Sequence, residues 1–403
     1  MGIFTGLRVI DAASYVAGPS AATILGDFGA EVIKLEPPGG DAYRALAEAP
    51  GQPRGSTNYP WIVDNRNKRG LVLDLKRPAA QAVLHRLVAA ADVFVTNAVP
   101  RLRAGLGIAP EALAAINPRL VYAALTAYGE TGPQSDKTGF DATAFWARSG
   151  LMDLVRADAD TMPGRSVAGM GDHPTGLALY GAIVTALYRR ERTGQGGFVH
   201  VALHDAGLWA NGVYAQAALD GAAFIPRPPR ARAPNALGNL YQAGCGRWFL
   251  IALANEPRQW PALLGVLGRP DWAEDPRFAT RESRRENARA LVALLEAAFA
   301  TRTLADWQPR MDAAGLTFDA VTTTGEAVAA EQPRATGTVR RRADGGWTID
   351  SPVHVAGEAK APAGPPPGLG EHAAAILAEH GYSAGEIAAL REAGVLGAGS
   401  GWS

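Results

Sequence analysis

Between residues 6 and 126, short apolar runs alternate with stretches of helical period. Residues 6–12 (GLRVIDA) predict a strand, 17–20 (AGPS) a tight turn, 21–28 a helix, and 30–35 (AEVIKL) a second strand ending at Glu36. The rhythm continues with a helix over 79–91, a strand over 92–96 (DVFVT), a helix near 110–116 and a strand over 120–126 (LVYAALT). Such alternation predicts an α/β fold with a doubly wound, mainly parallel sheet. Further on, 141–147 reads as helical, 174–192 as a buried helix ending in basic residues before Gly194, and 198–203 (FVHVAL) as a strand.

Residues 221–234 break the pattern with prolines and arginines, the composition of a linker. Beyond it come a strand over 248–254, a helix over 260–267, a strongly amphipathic helix over 285–299 and another over 304–314. A β-like segment over 347–355 precedes a second proline-rich stretch at 362–367 and two short helices, 373–380 and 384–393. The expected domains are therefore 1–220, a linker at 221–234, a smaller α/β domain over 235–335, and a returning segment over 336–403. Two domains also suit 403 residues, more than one core usually serves.

Composition narrows the function. The 39 basic and 39 acidic residues cancel, so no global field draws the chain to nucleic acid or to an anionic membrane. One cysteine, Cys245, excludes an internal disulfide framework and suits a reducing cytoplasm. The first residues show no basic segment followed by an apolar run, so no signal peptide is expected. The longest apolar run, 177–188, is shorter than the roughly 20 residues that span a bilayer.

Candidate chemistry centres on Gly169-Met170-Gly171-Asp172-His173-Pro174-Thr175-Gly176. Asp172 ahead of a helix with Pro174 in its first turn reads as an N-cap. The commoner of two readings is that cap; the rarer is a carboxylate nucleophile, which at an ordinary pKa near 3.9 is ionised at neutral pH and needs no base. The first βαβ turn resembles a dinucleotide site with Glu36 on a ribose, but it has one usable glycine where the fingerprint needs three. Basic residues crowd Asn65 to Pro78, including Arg66, Lys68, Arg69, Lys76 and Arg77, and as a group they make a candidate phosphate site. His200 and His204 are four apart, but the strand-to-helix break between them removes the shared face that a metal would need.

Several motifs coincide in order along nearly the whole chain: Leu7-Arg8-Val9-Ile10-Asp11 with Ala17-Gly18-Pro19, Phe28-Gly29-Ala30-Glu31-Val32-Ile33-Lys34-Leu35-Glu36, Asn67-Lys68-Arg69, Leu73-Asp74-Leu75-Lys76, Gly171-Asp172 with Thr175-Gly176, and Leu369-Gly370-Glu371-His372. Together they resemble the class III CoA-transferases of the formyl-CoA and carnitine type. The resemblance implies an interlocked homodimer, with a large CoA-binding domain built from both chain ends and a small domain from the middle. It implies coenzyme A as co-substrate, no tightly bound cofactor and no metal, and cytoplasmic acyl-CoA metabolism. Asp172 falls on the family nucleophile, which passes through an aspartyl anhydride and an aspartyl-CoA thioester.

The resemblance carries CoA contacts onto Lys76 and Asn97, and places Leu73, Val16 and Ala17 beside them. Val16 stands where the formyl-CoA enzyme has glutamine, and Pro37 where it has arginine. A family arginine falls on Gly105, with Arg101 and Arg103 close by, and Lys137 is offset by one residue from a family lysine. Backbone groups near Gly171, or in Leu237-Gly238-Asn239, are the candidate oxyanion donors. The related α-methylacyl-CoA racemases carry Gly-His-Asp where this chain has Gly139-Phe140-Asp141, and Phe140 cannot carry a proton.

Overall fold

The structure, a computed structural model, describes residues 2–397 and divides into two compact units. The larger contains residues up to Leu154, Arg165–Gly221 and the chain from Gln332 onward. Its elements run β1 (Arg8–Asp11), α1 (Ala17–Asp27), β2 (Glu31–Glu36), α2 (Tyr59–Asn65), β3 (Arg69–Val72), α3 (Pro78–Ala90), β4 (Val93–Thr96), α4 (Pro100–Arg103), α5 (Pro110–Ile116), β5 (Val121–Thr126), α6 (Leu151–Leu154), α7 (Asp172–Thr193), β6 (Gly197–Ala202), α8 (Leu203–Ala210) and α9 (Gly212–Leu219).

The six strands form one sheet in the order β3-β2-β1-β4-β5-β6, and every pairing is parallel. Parallel strands need both faces covered, and the central strands β4 and β5 are buried at every position. Successive side chains divide between two cores. Val9, Val32, Val93 and Val121 pack against α1, α7 and α8 through Leu25, Leu179 and Leu203. Ile10, Ile33, Phe94 and Tyr122 face the other way, onto Leu84 and Leu87 of α3, Leu113 of α5, and Ile376 and Leu377 of the returning C-terminal segment. Strand order reverses between β1 and β4, which opens a crevice beyond their carboxyl ends, the usual ligand position in such sheets.

Local differences from expectation have physical causes. AGPS at 17–20 is the first turn of α1 rather than a separate turn. Pro19 lacks an N–H where a first helical turn has no acceptor to offer, while Ser20 N–H already reaches the Val16 carbonyl at 2.8 Å. The run at 177–188 is buried on one face only: Leu179 and Ile183 are in the core, whereas Tyr188 is 65% exposed. The helix expected over 285–299 is two, Arg281–Glu286 and Ala288–Phe299, divided at Asn287. The β-like segment at 347–355 contracts to Trp347–Ile349, paired antiparallel with Val339–Arg341.

The second unit comprises Val155–Gly164 and Ala222–Glu331. Its antiparallel sheet is ordered β7 (Gly238–Gln242), β8 (Trp248–Ala252), β9 (Phe318–Ala320). β7 and β8 alternate strictly between exposed and buried positions, so one sheet face is in the core. There Tyr241, Phe249 and Phe299 pack with ring centroids 4.9–6.3 Å apart.

Candidate active site

The crevice at the strand-order reversal is stitched together by one amide. Asn97, directly after β4, accepts from Ser14 N–H at 3.0 Å and donates to the Ser14 carbonyl at 2.9 Å, fixing the chain that leaves β1. The next residue, Tyr15, has a φ of +64°, rare for a side-chain-bearing residue. Its N–H is captured by both carboxylate oxygens of Asp41, at 3.2 and 3.1 Å, and Asp41 is itself paired with the buried Lys34 at 3.1 Å. The Tyr15 ring meets Phe140 edge to face, with centroids 5.4 Å apart. Ser14, Tyr15, Asn97 and Phe140 wall a cavity of about 410 Å³ that also includes Val16, Ala17, Tyr43, Asp141 and Asp172. That volume is in the range of small-molecule sites.

Asp172 is the first residue of the 22-residue helix α7, and the N-cap position belongs to Gly171. No side-chain cap bond forms there, so the N-cap expected of Asp172 is not what the structure contains. The preceding loop is pinned instead by Asp141, at the start of a wide, π-type helical turn over Asp141–Ala147. Asp141 Oδ2 accepts from Gly169 N–H at 2.9 Å and from Gly171 N–H at 3.3 Å. Gly169 has a φ of +88°, and a Cβ on Gly171 would lie 2.6 Å from the Phe145 ring, so both glycines are needed for this approach.

Burial pushes the Asp172 carboxyl up to about 7, with the Asp141 carboxylate adding to the rise and His173 opposing it. The ordinary, freely ionised carboxyl expected of this residue is thereby corrected: at neutral pH Asp172 is near its midpoint. Behind it, His173 Nε2 lies 3.0 Å from Asp64 Oδ1, and Tyr43 donates to Asp64 Oδ2 at 2.6 Å. Burial works against charging His173, but the hydrogen bond and charge of Asp64 dominate and raise its pKa. His173 and Asp64 line a separate cavity of about 530 Å³, walled largely by Ile24, Val63, Pro174, Leu177 and Ile349, which Asp172 does not border.

Val16, Ala17, Asn97, Phe140 and Asp172 thus share one cavity, whereas Leu73, Lys76, Arg103 and Lys137 are not in its lining. Leu73 is buried, its N–H donating to the Glu36 carbonyl at 3.0 Å. Lys76 is exposed, and among the described residues no ion pair engages its side chain. Lys137 is also exposed, its ammonium 5.0 Å from the Tyr128 ring centre.

Three readings need correction. Arg103 is buried and forks onto Glu130 through two 2.7 Å bonds, so it is not free to replace a phosphate-binding arginine. Gly171 N–H is occupied by Asp141 and is not a free oxyanion donor. Most of the basic run at 65–78 is internal scaffolding rather than a phosphate site. Arg66 pairs with Asp27 and Asp350, and Arg69 with Glu31 and Glu379. Lys68 is fully buried on Asp11 at 2.8 Å, and burial lowers its pKa to about 8.

Gly238 and Asn239 begin β7 in the second unit. Gly238 N–H reaches the Asn235 carbonyl at 3.4 Å, and the Asn239 amide bonds Leu240 N–H and the Arg230 carbonyl. Asp141, Tyr15, Tyr43 and Asp64 were not singled out from the sequence. Asp141 had a visible signal, as the carboxylate beside Phe140 in the racemase-like segment, whereas the other three have none.

The chain is similar to known proteins over nearly its whole length. A sequence model of the family described as CoA-transferase family III matches residues 4–373. The (R)-2-hydroxy-4-methylpentanoate CoA-transferase of Clostridioides difficile is 30% identical over 400 residues, covering 98% of this chain and 99% of that protein. The succinyl-CoA:glutarate CoA-transferase of Mus musculus is 32% identical, covering 97% and 89%. The crystal structure of Rv3272 from M. tuberculosis superposes with a TM-score of 0.81 at 30% identity, over 93% of this chain and 98% of that one. A CaiB/BaiF family protein from Brucella suis gives a TM-score of 0.81 at 31% identity, over 94% and 99%. The chain therefore belongs to CoA-transferase family III and is a class III CoA-transferase.

Proposed function

We propose that the enzyme moves coenzyme A from an acyl-CoA donor to a carboxylic acid acceptor through covalent intermediates on Asp172. The observation that carries this is the placement of one uncapped carboxylate in the cavity at the strand-order reversal. An Asp172 oxygen attacks the thioester carbonyl, the C–S bond breaks, and CoA leaves as thiolate with a mixed anhydride behind it. The thiolate attacks the aspartyl carbonyl of the anhydride, releasing the donor's acyl group as a carboxylate and forming aspartyl-CoA thioester. The acceptor carboxylate attacks that thioester and CoA leaves again. Its return to the acceptor's acyl carbon frees the Asp172 carboxylate. No step needs a net proton, which suits a site whose residue 140 is Phe rather than an acid or base.

CoA contacts are assigned to Val16, Ala17, Asn97, Leu73, Lys76 and Lys137, with the two exposed lysines suited to phosphates as point charges. Leu46, Val99, Leu125 and Phe140 in the cavity wall favour an apolar acyl portion. A homodimer is supported by the exposed apolar surface of α8 and α9, where Trp209, Val213 and Leu219 are 82–87% exposed. No metal or tightly bound cofactor enters the scheme. A cytoplasmic location is supported by the single free cysteine, and no helix among the described residues is long and apolar enough to cross a membrane.

The test is incubation with a donor acyl-CoA and hydroxylamine, followed by peptide mass spectrometry. A hydroxamate on Asp172, absent in Asp172→Ala, is the expected result. Turnover without any Asp172 adduct would overturn the mechanism.

A further inference from the structure

His173 follows the nucleophile directly, yet nothing in the transfer scheme uses it. Its ring is hydrogen-bonded to Asp64, with Nε2 3.0 Å from Oδ1, while its backbone N–H donates to the Gly169 carbonyl at 3.1 Å. An imidazolium there supplies a charge as well as the N–H that the carboxylate accepts. Asp64 is 1% exposed, and its other oxygen is engaged by Tyr43 at 2.6 Å, so the anion is fixed in place and needs a cation beside it. The Lys68 ammonium does not fill that role, since it contacts Asp64 through the backbone carbonyl at 2.6 Å and pairs with Asp11. Arg66, which shares the cavity with His173, is committed to Asp27 and Asp350.

Resting on the nucleophile assignment, we propose that His173 is a positioning residue for Asp172, held as an imidazolium against the buried Asp64 so that its charge keeps the adjacent carboxylate in the anionic, attacking form. The groups facing Asp172 make such a charge necessary. Asp141 and Asp64 both repel an anion there; of the two tyrosines in the cavity wall, Tyr43 is held neutral by burial and by its bond to Asp64, and Tyr15 meets Phe140 edge to face. His173 is the one neighbour that acts in the opposite direction. Its ring contact with Asp64 on α2 and its backbone N–H bond to the Gly169 carbonyl hold the charge at a fixed place.

The experiment is single-turnover acylation of Asp172, trapped with hydroxylamine, between pH 5.5 and 9 in wild type, His173→Gln and His173→Lys. The glutamine variant is expected to move the profile about one unit upward, making acylation about tenfold slower at pH 6 while rates converge near pH 9. Lysine should restore the wild-type profile. A glutamine profile that superimposes on wild type, or is lowered equally at every pH, overturns the proposal and leaves the nucleophile assignment intact. Absence of any Asp172 adduct in wild type overturns both. Should the variants not fold, neutron diffraction of the wild-type protein at pH 7.5 decides: deuterons on both ring nitrogens are expected, and a deuteron on only one overturns the proposal.

Discussion

Asp141 Oδ2 accepts the N–H of Gly171 at 3.3 Å, so the peptide immediately before Asp172 is held by a second carboxylate 30 residues earlier. The same atom holds Gly169 N–H at 2.9 Å, and two bonds to one oxygen fix the loop's direction. Asp141 therefore acts on Asp172 in two opposing ways, positioning its backbone and repelling its charge.

Asp141→Ala separates these effects. Releasing the loop misplaces the nucleophile, and a displacement of about 1 Å costs about a hundredfold in rate. Removing the negative charge lowers the Asp172 pKa. The expected profile of kcat/KM for the acyl-CoA donor is lower by one to two orders of magnitude and displaced toward acid. A loss without the acid displacement would show that the electrostatic link is absent.

In the wild-type enzyme the sign is fixed by which form attacks. The carboxylate is the nucleophile, and burial places its pKa at about 7. The rate of Asp172 acylation should rise roughly tenfold per unit below pH 6 and flatten above about 7.5. Rapid-quench trapping of the Asp172 adduct with hydroxylamine, read across pH, measures this. A flat profile from pH 5 to 8 would place the carboxyl in its ordinary range.

Stability should run the other way. Asp172 has a folded-state pKa of about 7 against 3.8 unfolded, so the folded state binds the proton more tightly. Its contribution is neutral below pH 3.8 and becomes unfavourable as pH rises to about 7. The linkage sets an upper bound of about 4 kcal/mol, of which solvent and helix-dipole compensation leave a part. Asp172→Asn should therefore melt higher than wild type at pH 8, with the gap closing toward pH 4, while losing transfer activity. Parallel thermal melts across this range test it.

The sheet was legible because its strands are short apolar blocks at regular spacing, and β1, β2, β4 and β5 fall within two or three residues of the expected positions. The glycine and helix-start context of Asp172 is local and draws attention to it, but by itself it points to an N-cap, and only the motifs collinear with it point to a nucleophile. What the sequence hid was pairing. Lys68 looks like a free cation until Asp11, 57 residues away, is placed against it, and Arg103 until Glu130 is. The link between His173 and Asp64 spans 109 residues. A charge pattern shows which residues are ionisable, while the fold decides which remain unpaid by a partner. Lys76 keeps its availability for that reason: its neighbour Arg77, rather than Lys76, takes Asp74.

The close approach of α1 and α7 gives a test of the frame that carries the nucleophile. A Cβ on Gly176 would lie 2.0 Å from Ser20 Oγ and 2.6 Å from the Ala17 carbonyl. The hydroxyl can rotate, but the carbonyl belongs to the first turn of α1 and cannot. Gly176→Ala must therefore push α7 away from α1, at a cost of about 1–3 kcal/mol. Because Asp172 is one turn earlier on α7 and Val16 and Ala17 stand in the cavity wall, the displacement falls on the site as well as on the core. The expected variant is folded, with a lower denaturation midpoint at unchanged m-value and a reduced kcat. Gly181→Ala, where the added carbon meets nothing within 4 Å, should leave kcat unchanged and raise the midpoint through the helix-propensity gain of about 1 kcal/mol. Equal effects at the two positions would mean that helix propensity, rather than the contact with Ala17, controls this part of the enzyme.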